Sequence, residues 1–150
     1  MIAEQDIRTA VLETLRANAG LAGAINGIYD GAPLRAAVPY AVIGDVTGND
    51  WGTKDAAGRE LLITLSLYDR GESAVRLTTL ASLVHTAILA MPRTLGGWQV
   101  ASILPMRSRL VRGVSGNGAS AAGTSGTANN GPVGSPFSWQ SEWRLRVLAV

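Results

Sequence analysis

The chain has 150 residues and a formal net charge of +2, with 47% hydrophobic but only 16% charged residues, against roughly 25% charged in an average soluble protein. That length predicts one domain over 1–150 with a proper core, and the shortage of charge predicts surface hidden in an oligomer or diluted by a Gly/Ser/Ala-rich stretch. There is no cysteine, which excludes disulfides and thiolate chemistry, and no apolar run reaches the roughly 18 residues of a membrane span.

Charge is unevenly spread. Residues 1–72 hold ten acids against six bases, whereas residues 73–150 hold one acid, Glu142, against seven arginines. Twelve of the thirteen bases are arginine, whose planar, weakly hydrated fork suits interfaces and phosphates. Such asymmetry allows a nucleic-acid surface or head-to-tail contact between copies of the chain.

The N-terminal MIAEQDIRTA is acidic and amphipathic, without the pattern of a signal peptide, and predicts a cytoplasmic product. Ile7, Val11, Leu12 and Leu15 form a one-sided stripe that predicts a helix over 3–18. Glu4 and Asp6 in its first turn and Arg16 in its last suit the helix dipole, and Asn18 and Gly20 are terminators. A second helical turn is expected over 21–25. Ile28-Tyr29 reads as a short strand, followed by an Asp30-Gly31-Ala32-Pro33 turn.

Residues 38–69 organise the chain as a long antiparallel hairpin. Pro39 opens its first strand, where a missing N–H is tolerated, and 48–58 form the connection, with Trp51 unusually placed in a polar loop. Residues 60–68 alternate, with Leu61, Ile63, Leu65 and Leu67 on one face, as in a central strand with a helix on one side. Asp69-Arg70-Gly71 is expected to break that strand, and Ser73 to cap the next helix. That helix, over 73–91, carries Leu77, Leu80, Val84, Ile88 and Met91 on one face, widened by Leu83 and Ala87, and ends at Pro92.

Residues 97–112 read as a strand made irregular by Pro105, with Trp98, Val100, Leu104, Met106 and Leu110 sharing one face and Arg107 and Arg109 the other. Residues 113–136 hold no charge and no aromatic side chain, and are expected to form a flexible loop inserted in a hairpin. Residues 137–148 alternate most clearly. Phe137, Trp139, Ser141, Trp143, Leu145 and Val147 share one face, and Ser138, Gln140, Glu142, Arg144 and Arg146 the other. Pairing of this strand with 98–112 brings Arg107 near Glu142. The order α-β-β-β-α-β-β predicts a two-layer α+β sandwich with a mostly antiparallel sheet and both helices on one face.

Catalytic chemistry finds little support. His85 is the single histidine, on a largely apolar helix face where packing or an interface is the simpler role. No metal-ligating cluster or cofactor motif is present. Asp45, Asp50, Asp55 and Glu60 read as a solvated hairpin more readily than as an acid–base pair. The glycines of 113–134 lack the Gly-Lys-Ser/Thr of a phosphate loop, and there is no G-x-S-x-G elbow. The functional candidates are Arg107, Arg109, Arg112, Arg144 and Arg146 with Glu142, as contacts to a neighbouring subunit or to DNA, and Trp51 as a core cap or an interface anchor. A solvated face with one ion pair is the plainer alternative.

Several segments together are similar to the tail-terminator (tail-completion) family of long-tailed bacteriophages, prophages and gene transfer agents. They are the N-terminal helix, Ile28-Tyr29-Asp30-Gly31-Ala32-Pro33, Pro39 to Gly44, Trp51 before Lys54, the strand Leu61–Tyr68 ending in Asp69-Arg70, the long helix and the arginine-rich final hairpin. The resemblance covers nearly the whole chain except about 113–136. It implies a non-enzymatic virion protein at the tail–neck junction, assembled in the bacterial host cytoplasm. Its partners would be copies of itself in a six-membered ring, the tail tube protein, a neck or stopper protein, and DNA passing through the lumen. It implies no cofactor, no metal and no membrane. The alternatives are a head-completion or stopper protein and a small non-specific nucleic-acid-binding module. The inserted loop is expected to contribute to assembly, so that deleting 116–132 leaves the monomer folded but weakens association.

Overall fold

The computed structural model describes residues 2–71, 73–112 and 135–150. In chain order the elements are α1 (Ala3–Ala17), α2 (Ala19–Ala22), β1 (Ile28–Asp30), β2 (Tyr40–Asp50), β3 (Gly58–Gly71), α3 (Val75–Leu89), β4 (Thr94–Leu95), β5 (Trp98–Arg112) and β6 (Ser135–Ala149). The strands form one six-stranded sheet in the order β1-β2-β3-β6-β5-β4. Only β1–β2 is parallel; the other pairs are antiparallel. The expected α+β sandwich is present; the second helical turn expected over 21–25 forms at Ala19–Ala22, and a two-residue edge strand is added. The loop expected over 113–136 lies outside the described residues from 113 to 134, while Ser135 and Pro136 already belong to β6.

The core lies between the sheet and the helices. Ile7, Val11 and Leu15 of α1 and Leu77, Leu80, Val84 and Ile88 of α3 are buried in one cluster with Leu61, Ile63, Leu65 and Leu67 of β3 and Trp143, Leu145 and Val147 of β6. Because strand residues alternate between faces, the helices share one face of the sheet. Trp143 is fully buried at its centre, and its Nε1 donates to Ser141 Oγ at 3.0 Å. His85, an exposed residue of α3, lies against it with ring centroids 5.3 Å apart.

Local chemistry explains most boundaries. Asn18 ends α1 and caps α2, its Oδ1 accepting from Leu21 N at 2.9 Å. Gly31 has φ +92° just after β1, a conformation that favours glycine. The β4–β5 turn is Gly96-Gly97, with φ +56° at Gly96, as a tight two-residue hairpin requires. A strand starting at Gly97 missed this hairpin, although a Gly-Gly pair between apolar residues is its signal.

Three expectations are corrected. The hairpin connection is shorter than 48–58, because β2 runs to Asp50 and β3 starts at Gly58. Asp69-Arg70-Gly71 does not break β3, which pairs with β6 through to Gly71. The Asp69 carboxylate is buried but satisfied: it accepts from Arg70 N at 2.7 Å and from two nitrogens of Arg76, Nε at 2.8 Å and Nη2. That contact ties the start of α3 to the end of β3 and raises the Arg76 pKa through the hydrogen bonds to Asp69. The third correction concerns β5. Its register shifts between Val100 and Ser102 and again between Pro105 and Arg107. Each extra residue reverses the parity: the first turns Ile103 to the buried side and Leu104, 43% exposed, to the other; Met106, 46% exposed, falls in the second shift, which returns Leu110, across from Trp139 and 48% exposed, to the helix side.

Candidate assembly surface

Among the described residues the sheet's other face carries no helix. The in-register pairs Glu60–Arg146, Leu62–Arg144, Thr64–Glu142, Ser66–Gln140 and Tyr68–Ser138 place the second parity of β3 and β6 on it. On β5, Arg107 stands across from Glu142, as the sequence pattern predicts, and Arg109 across from Gln140. Near the β1 edge, Tyr29, Tyr40 and Tyr68 form an aromatic group, with centroids 5.9 Å apart for Tyr29–Tyr40 and 5.1 Å for Tyr40–Tyr68. Burial pushes the Tyr40 hydroxyl pKa up, and the neighbouring tyrosines add to the effect.

The candidate arginines separate into satisfied and exposed groups. Arg146 Nε bonds Glu60 Oε2 at 2.8 Å, and its guanidinium lies 5.2 Å from the centroid of the Trp51 ring. Trp51 thus covers the Arg146–Glu60 pair, half-buried at the mouth of the β2–β3 hairpin. Arg144 is half-buried, and among the described residues its Nε has no hydrogen-bond partner. Arg109 reaches Gln140 Oε1 from two nitrogens at 3.3 and 3.2 Å but is exposed, as is Arg107. Arg112 differs from the rest: it stands across from Phe137, on the helix side, with its guanidinium 5.1 Å from that ring. The sequence reading missed Glu60 as the partner of Arg146. The two are 86 positions apart, and only the β3–β6 register joins them.

A pocket of about 240 Å³ opens among Thr64, Arg107, Arg109, Gln140 and Glu142. Among the described residues no group of three or more metal-ligating side chains converges, and no helix is long and apolar enough to cross a membrane. The face offers charged and amide groups for contact and shows no aligned nucleophile and base.

The profile of the family described as "Tail completion protein gp17" matches residues 9–117. The chain belongs to that tail-completion family. The match runs from within α1 through β5, so it includes Arg107, Arg109 and Arg112 but stops before Glu142, Arg144 and Arg146. The tail-completion fold recurs in solved structures. A chain from the virion of a native gene transfer agent (GTA) particle superposes with a TM-score of 0.75 at 18% identity, covering 99% of this chain and 100% of that one. The gp17 protein of bacteriophage SPP1 gives a TM-score of 0.54 at 17% identity, over 100% of this chain and 92% of that one. At such identities the likeness is one of fold. No curated protein sequence matches this tail-completion chain.

Proposed function

We propose that the chain is a structural, non-enzymatic virion subunit whose copies close into a six-membered ring at the head-proximal end of a phage or gene-transfer-agent tail tube. The ring stops tube growth, presents its far side to a neck or stopper protein, and lets DNA pass through its lumen. The subunit assembles in the host cytoplasm and ends at the tail–neck junction. The family match over 9–117 is the observation that carries this reading. The low charge content and the helix-free sheet face fit a subunit that meets other proteins.

Native mass spectrometry over a range of concentrations, with negative-stain microscopy, tests it. The expected species is a ring of about 94 kDa, six copies of 15.6 kDa. Adding that species to growing tail tubes should stop their elongation. Tubes that lengthen normally in its presence would overturn the capping role.

A second reading, a small nucleic-acid-binding module, is favoured by the exposure of Arg107, Arg109 and Arg112 on one strand. It requires duplex affinity that falls steeply with salt.

A further inference from the structure

The two sides of the sheet end in free strand edges of opposite charge. On one side, β1 covers only Ala41, Val42 and Ile43 of β2. From Val46 to Asp50, β2 pairs with β3 alone among the described residues, and Asp45 lies in the register shift just before that run. Asp45 and Asp50 are exposed there, and the turn that follows exposes Asp55 beside Lys54, so the edge's charge rests on the two aspartates. On the other side, β4 covers only Trp98 and Gln99 of β5. From Arg107 to Arg112, β5 pairs with β6 alone among the described residues. Arg107, Arg109 and Arg112 are exposed there, and β5 carries no acid.

We propose that copies of this chain join head to tail by pairing the free β5 edge of one (107–112) with the free β2 edge of the next (45–50). The inference deepens the ring reading and rests on it. The regular β5 edge spans six residues and the regular β2 edge five, with Asp45 in the shift before it, about 17–20 Å of extended chain each, so their unpaired N–H and C=O rows are close in length. An open edge is an aggregation liability that proteins cover or blunt. Here Pro105 and the two register shifts blunt β5 up to residue 106, which leaves 107–112 as the pairing segment. The nearly half-exposed Leu110 in that segment gains cover from the neighbour.

Charge selects the mode of pairing. Two β5 edges would oppose arginines, and two β2 edges would oppose aspartates, and like charges placed together disfavour both symmetric pairings. Only β5 with β2 brings opposite charges together. The edges lie on opposite sides of one sheet, so a copy cannot satisfy itself. The contact is therefore heterologous and propagates until it closes. Such pairing joins the helix-free faces of successive copies into one lining, with the helices on its other side.

The test is a charge swap read by native mass spectrometry and sedimentation. R107E/R109E reverses the β5 edge, and D45R/D50R reverses the β2 edge. Each variant should unfold thermally like the wild type yet self-associate at least about ten-fold more weakly. Mixed one to one, they should regain assembly, because each interface of an alternating oligomer then joins opposite charges. If each variant alone forms the wild-type ring, edge pairing is overturned and the ring reading stands. Open oligomers of graded length that the reversals abolish and the mixture restores would keep edge pairing and overturn the ring. A wild type that stays monomeric at every concentration, or variants that lose assembly with no recovery on mixing, would overturn the edge pairing.

Discussion

Glu4 and Arg59 are 55 positions apart and meet at 2.6 Å, where the start of α1 crosses the β2–β3 hairpin. Gly48 makes room for this contact, since a Cβ there would fall 2.2 Å from Glu4 Oε1. The hydrogen bond from Arg59 is the main cause that lowers the Glu4 pKa below its ordinary 4.5, with smaller help from a backbone hydrogen bond. A lowered carboxylate pKa in the folded state adds stability above the unfolded value and loses it as pH falls through the folded value. Glu4→Gln should therefore cost about 0.5–1 kcal/mol at pH 7. That difference should shrink progressively below about pH 4.5. Urea unfolding of both proteins at pH 7 and pH 3 measures it, and an equal difference at both pH values would show that ionised Glu4 contributes nothing. Trp51 and Arg146 teach the same lesson about contacts. An aromatic residue in a polar loop reads as a cap or an anchor, and only the fold supplies the guanidinium beside it.

At the scale of elements, β5 departs most from its sequence pattern. A strict two-residue period groups Val100 with Leu104, Met106 and Leu110. The extra residue between Val100 and Ser102 instead turns Ile103 inward, opposite Leu145. Ile103→Ala should thus cost about 2–4 kcal/mol, whereas Leu104→Ala should stay within about 1 kcal/mol. Thermal or denaturant unfolding of the two variants decides the point, and the reverse order would restore the uninterrupted period. The regular strands behave otherwise. Leu61, Ile63, Leu65 and Leu67 of β3, and Trp143, Leu145 and Val147 of β6, keep their parity from end to end, because their 14 pairs run without a shift.

For the whole molecule, the acidic first half and basic second half take on a spatial meaning. The acids of β2 and the arginines of β5 lie towards opposite sides of the sheet, with β3 and β6 between them. Self-association through such edges should weaken as salt rises from 50 to 500 mM, since the screening length of exposed charges falls from about 14 Å to about 4 Å over that range. Sedimentation at matched protein concentration reads this. Association that strengthens with salt would point to an apolar contact in place of a charged one. The low charge content gains a reason too: Leu104, Met106 and Leu110 remain exposed on a strand that, among the described residues, has no second neighbour beyond Gln99.

The sequence by itself determined the local alternation of apolar and polar residues, and with it the two long helices, the central strand, the final strand and the α+β class. These follow from short-range periodicity, where neighbours along the chain dictate which side faces the core. It also carried the family resemblance, through the order of its segments, and it placed Arg107 and Glu142 on facing polar positions of one hairpin, a register that the fold then set. Tertiary structure alone decided the β5 register shifts, the parallel addition of β1, the partner of Arg146 and the position of the two charged edges. Each depends on which strands become neighbours across dozens of residues, and that choice is made by the packing of the whole core against the sheet.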